Sequence, residues 1–99
     1  MDKQAFITLC QSQLIMVYQL AKAGKPDDKM KHRVEGFMYA GQVMGLLSEQ
    51  ECQQLLEDTH VQVFGQTIDQ RQARKDSLEK LKRENPKAYF AIPAIERQV

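Results

Sequence analysis

Stop-and-start signals for helices recur along the chain and constrain its fold more than any other feature. They fall at Gly24-Lys25-Pro26-Asp27-Asp28, at Gly45 followed by Ser48-Glu49-Gln50-Glu51, at Gly65 followed by Thr67, and at Asn85-Pro86. Glycine supplies the left-handed residue that ends a helix and proline refuses to continue one. Asp, Ser or Thr then accepts a hydrogen bond from the first unsatisfied amides of the next helix. Between these marks apolar residues recur with helical spacing. The expected fold is therefore all-α, a small four-helix bundle carrying an apolar C-terminal tail, with residues 1–87 as a single helical domain and 88–99 as the docking tail.

The first helix, about residues 3–23, carries Phe6, Ile7, Leu9, Cys10, Leu14, Met16, Val17, Tyr18 and Leu20 over well over half of its circumference. A helix this apolar is covered on more than one side, which places it at the centre of the fold. The second, about 28–44, starts on Asp27 or Asp28 and closes before Gly45. The third, about 49–64, opens with the capping box Ser48-x-x-Glu51, with Leu47 and Cys52 as the hydrophobic staple around it. It presents Cys52, Leu55, Leu56, Thr59 and Val63 on one face. The fourth opens with a second box, Thr67-x-x-Gln70, and runs to Asn85 before Pro86. Its apolar content is thin, Ile68, Ala73, Leu78 and Leu81, so it packs at an edge. Beyond it Tyr89, Phe90, Ile92 and Ile95 crowd a segment that Pro93 keeps from being one long helix.

The second helix carries Gly36 and Gly41 in its interior, where each costs roughly 1 kcal/mol relative to alanine. At 100° per residue Gly41 falls within the stripe of Met30, Val34, Phe37, Met38 and Met44, where a missing Cβ lets another helix approach closely. Gly36 lies about 140° away on the same wheel, in line with Ala40, Val43 and Leu47. The expectation is a helix contacted on two sides, by the core on one and on the other by the tail, the first helix or a second subunit.

The chain has 99 residues, of which 42% are hydrophobic and 27% charged, with a net charge of +1. These values suit one folded domain and provide no global attraction to nucleic acid or anionic membranes. The apolar stretch Leu14–Ala23 is well short of the ~20 residues of a membrane span, and Asp2, Gln11, Ser12, Gln13 and Gln19 argue against a secretory leader. Cys10 and Cys52 have no C-x-x-C spacing and sit on apolar helical faces, which fits two inert thiols in a reducing cytoplasm. His32 near Glu35, and His60 near Cys52, each lack a third ligand, so no metal is expected, and both histidines read as surface or partly buried groups. No phosphate loop, nucleophile elbow or dinucleotide fingerprint is present, and no cofactor or catalytic activity is expected.

Charge is segregated by segment: residues 46–66 carry −4 and residues 67–87 carry +3. A helix-turn-helix reading would direct the acidic third helix at phosphates, which is unfavourable. The basic fourth helix, with Arg71, Arg74, Lys75, Lys82 and Arg83, supports an alternative reading as a nucleic-acid-associated accessory protein. The preferred expectation is a small cytoplasmic protein-interaction or regulatory module. It would bind itself as a homodimer, or another protein, using Gly36, Ala40 and Val43 as a groove and Tyr89, Phe90 and Ile92 as anchors.

Overall fold

The computed structural model describes residues 2–97, the side chain of Ile95 apart, so residues 98 and 99 of the expected tail lie outside the described residues. Among the described residues there are six helices and no strand: α1 Lys3–Lys22, α2 Asp28–Val43, α3 Glu49–Phe64, α4 Ile68–Glu84, α5 Pro86–Ala91 and α6 Ala94–Arg97. The expected small all-α bundle is the observed architecture.

Caps set the boundaries. Asp2 accepts from the Ala5 amide and Asp27 from that of Met30. Ser48 with Glu51, and Thr67 with Gln70, form two complete capping boxes in which side chain and backbone exchange hydrogen bonds. Asn85 does two jobs: its amide closes α4 on the Leu81 carbonyl while its side chain caps α5, whose first residue is Pro86. Gly45 has φ of +76°, and this left-handed turn returns the amides of Leu46 and Leu47 to the Gly41 carbonyl. The turn carries Leu47 into the core, whereas the helical wheel had placed it on the outer side of α2. Met44, expected in the buried stripe, caps the end of α2 and is exposed.

α1 is the central element, packed against both α2 and α3. Lys3 pairs with Glu51, and the Lys22 ammonium donates to the Val63 carbonyl at 3.0 Å, so α1 and α3 run parallel. α2 returns antiparallel, bringing Gly41 near its end against Phe6 near the start of α1. The core consists of Phe6, Cys10, Leu14 and Val17 from α1, Val34 and Met38 from α2, and Leu47 and Cys52. Phe6 stacks on Phe37 at 4.7 Å between ring centroids, and its tip occupies the space a Cβ on Gly41 would take. The close approach expected at Gly41 is therefore filled by an aromatic ring.

The remainder forms an arm. α4 has no buried residue. At 1.5 Å per residue α1 is about 30 Å long and α4 about 25 Å, and the molecule is 53 Å in its longest dimension. The radius of gyration is 16.3 Å, against about 13 Å for a compact domain of this size. α4 thus projects from the three-helix core, and α5 folds back on α4. The apolar tail docks there, on the helix immediately before it.

Candidate functional site

α2 uses Val34, Met38 and Gly41 against α1, leaving its other side outward. Gly36, Ala40 and Val43 all lie on that outer side and are exposed. A Cβ built on Gly36 has open space around it. Val43 is 69% exposed, and its neighbours on the surface, Tyr39 and Met44, are 67% and 66% exposed. The second face of α2 is therefore an apolar strip that the described residues leave uncovered. Tyr39 and Met44 extend it beyond the residues expected from sequence; the signal was present in the i, i+4 spacing of Tyr39 and Val43.

Tyr89, Phe90 and Ile92 sit on and just after α5. Tyr89 and Phe90 meet edge to face at 5.1 Å. The Lys82 ammonium lies 5.6 Å from the Tyr89 centroid, and the Arg97 guanidinium lies 5.2 and 5.3 Å from the two rings. Tyr89 and Ile92 are half-buried by this packing while Phe90 stays outward. Because α5 packs on α4 and α2 on α1, the groove and the anchors occupy separate elements.

The five basic residues of α4 that support a nucleic-acid reading do not form one stripe. Arg71 stacks over the Phe64 ring at 4.1 Å, and Arg74 donates to the Glu96 carbonyl. Lys82 lies over Tyr89, Lys75 turns toward a cavity, and Arg83 is exposed on another side of the helix.

Where α3 meets α4, His60 forms an aromatic knot with Tyr18 at 5.2 Å and Phe64 at 4.5 Å. Its Nδ1 is 2.8 Å from the Gln66 carbonyl; since a carbonyl only accepts, Nδ1 carries the hydrogen. His60 is fully buried, which corrects the expectation of a surface or partly buried residue. The i, i+4 pair of His60 and Phe64 was the available signal, and Phe64 shifts the packed face of α3 toward both. Burial, with lesser contributions from Glu57 and Glu35, pushes the Tyr18 hydroxyl up, while Arg71 opposes this. His32 is exposed, with Nδ1 3.7 Å from Glu35.

Burial, with the neighbouring Cys52, pushes the Cys10 thiol up to about 11; burial and Glu51 raise that of Cys52. Both are neutral thiols at pH 7 and poor nucleophiles. Among the described residues no three His, Cys, Asp or Glu side chains gather in a metal-binding arrangement, and no helix is long and apolar enough to cross a membrane.

A cavity of about 230 Å³ opens between α1, α2, α3 and α4. Leu14, Val17, Ala21, Val34 and Leu56 form its apolar floor, with Lys31, Glu35, Asp27 and Asp28 on one side and Arg71 and Lys75 on the other. Burial, followed by the nearby charges of Arg71 and Lys31, lowers the Lys75 pKa, and Glu79 counters them. The chain matches no known family model, no curated protein and no solved structure.

Proposed function

We propose that this chain is a protein-binding module that associates with a second copy of itself through the outer face of α2. One observation carries the reading: Tyr39, Val43 and Met44 form an apolar strip, each about two-thirds exposed, beside the small residues Gly36 and Ala40. Fully burying an aliphatic side chain of this size is worth roughly 1.5–3 kcal/mol, so a strip of three left in water is a strong source of association. Gly36 and Ala40 let a second α2 approach closely, and a two-fold pairing would set each strip against its counterpart. The acidic α3 and basic arm supply complementary charge at the margins of such a pair. Phe90 is a further exposed anchor.

The buried, neutral thiols support a non-catalytic role in a reducing, cytoplasmic setting. Nucleic-acid binding is less well supported, since Arg71, Arg74 and Lys82 are engaged within the chain. The test is the solution mass by light scattering across a range of concentrations. The wild-type chain is expected to dimerise as concentration rises, and Val43→Glu to remain monomeric with an unchanged helical spectrum. A wild-type chain that remains monomeric throughout overturns the self-association.

A further inference from the structure

We infer that self-association also joins opposite ends of the molecule: the basic groove on the arm of one copy takes the acidic face of α3 from a second copy, and the exchange is reciprocal. This rests on the self-association proposed above and adds a second surface to it. The groove runs along one side of α4, where Lys75, Leu78, Glu79 and Lys82 recur at helical spacing, and its wall is Tyr89 of α5 and Arg97 of α6. Lys75 also borders the cleft with the core, and Glu79, one turn away, offsets its charge. Lys82 and Arg97 carry the surplus. Both rest against the Tyr89 ring, at 5.6 and 5.2 Å, and among the described residues neither makes an ion pair. Two cations drawn to one ring with no carboxylate between them favour an anion beside them.

The chain carries the complement on α3. Residues 46–66 hold four carboxylates and no Lys or Arg. Glu51 is taken by Lys3, and Asp58 accepts from Gln54. Glu49 and Glu57 remain, about 12 Å apart along the helix, on a polar face shared with Gln50, Gln53 and Gln54. Within one chain the two surfaces are out of reach. The pair of Lys3 with Glu51 sets the start of α3 beside the start of α1, and α4 leaves from the other end of α3, after Gly65. The molecule measures 53 × 22 × 20 Å. Helices ~10 Å in diameter fill that cross-section with the three-helix core alone, so the arm extends along the long axis and away from Glu49. Two copies with their α2 faces antiparallel place the arm of each beside the start of α3 of the other, and one two-fold axis makes both contacts. Opposite charge at opposite ends also selects this pairing over a parallel one, which would set arm on arm.

The experiment is sedimentation equilibrium of the full chain and of two charge-reversed variants, Lys82→Glu with Arg97→Glu and Glu49→Lys with Glu57→Lys. Each variant alone should dimerise at least about fivefold more weakly than the wild type, with an unchanged helical spectrum, and the wild-type dimer should weaken as salt is added. Mixing the two variants restores opposite charge at both contacts, so the mixture should associate within about twofold of the wild type. Reversals that leave dimerisation unchanged, or a mixture no stronger than either variant alone, would overturn the reciprocal contact and give the groove to a different acidic partner. Val43→Glu separates the two readings. A dimer lost in Val43→Glu but indifferent to the reversals refutes this inference alone, whereas rescue on mixing in a chain indifferent to Val43→Glu refutes the α2 face alone. A wild-type chain that stays monomeric refutes both.

Discussion

Gly36 and Gly41 lie five residues apart in one helix, yet replacing each with alanine should move stability in opposite directions. Both substitutions gain up to about 1 kcal/mol of helix propensity. At Gly36 none of the described residues lies within 4 Å of the added Cβ, so the full gain should be realised. At Gly41 the new atom would stand 2.3 Å from Phe6 Cζ and 2.4 Å from Cε1. Ordinary van der Waals contact begins at 3.4 Å, so the ring must retreat by about 1 Å. It has little room to do so, because Phe6 is only 2% exposed and stacked on Phe37. Overpacking of this kind costs about 1–3 kcal/mol, leaving Gly41→Ala destabilised by about 0–2 kcal/mol after the propensity gain. The two variants should therefore differ by roughly 1–3 kcal/mol, or at least about 4 °C in melting temperature for a domain of this size. Thermal and urea unfolding at concentrations too low for association would measure the difference. Adding Gly41→Ala to Phe6→Leu should cost less than adding it to the wild-type chain, the coupling expected of two groups in contact. Equal stabilisation by both alanines, or strict additivity with Phe6→Leu, would refute the claim that the ring occupies the Gly41 notch.

Three further outcomes can be checked on the same protein. Thr59 is fully buried and its hydroxyl has no hydrogen-bond partner among the described residues; Thr59→Val removes a group whose desolvation costs about 1–3 kcal/mol, so it should raise the urea midpoint. Hydrogen bonds from Lys3 and from the Ser48 amide hold the Glu51 carboxyl below the usual carboxylate range. Its folded value lies below its unfolded value, so its contribution is complete above pH ~4.3 and is lost as pH falls through the folded value. The difference in melting temperature between wild type and Glu51→Gln should accordingly shrink on acidification. Cys10 and Cys52 should react with a thiol reagent such as DTNB only as fast as the chain opens, and a rapid reaction of either in the native protein would contradict their burial.

Much of the fold was legible because its boundaries are local chemistry. The capping boxes at Ser48 and Thr67 and the break at Asn85-Pro86 depend on residues within four positions of one another, so spacing alone locates them. The central position of α1 was legible as well, since an apolar arc wider than one partner can cover requires two. Other features depend on which elements meet. The left-handed turn at Gly45 stands where the sequence puts it, but the wheel carries Leu47 in register beyond that stop; the turn sends Leu47 into the core and leaves Met44, the cap residue, exposed. His60 reads from the sequence as a surface or partly buried residue, whereas its full burial depends on Tyr18 arriving from α1, 42 positions earlier.

The arm shows the same division from the other side. Its weak amphipathicity correctly pointed to an edge element, but a helix with no buried residue must be held by contacts that sequence periodicity does not report. Here they are the stacking of Arg71 on Phe64, the bond from Arg74 to Glu96, and Tyr89 lying against Lys82 and Arg97. Each joins a basic residue to a ring or a carbonyl, so three of the residues that read as a surface for phosphates, Arg71, Arg74 and Lys82, fasten the arm to the core and the tail to the arm. Contacts of this kind contribute on the order of 0.5–2 kcal/mol each, enough to orient α4 but too little to seal it against the core. The cavity lies at that loosely packed junction.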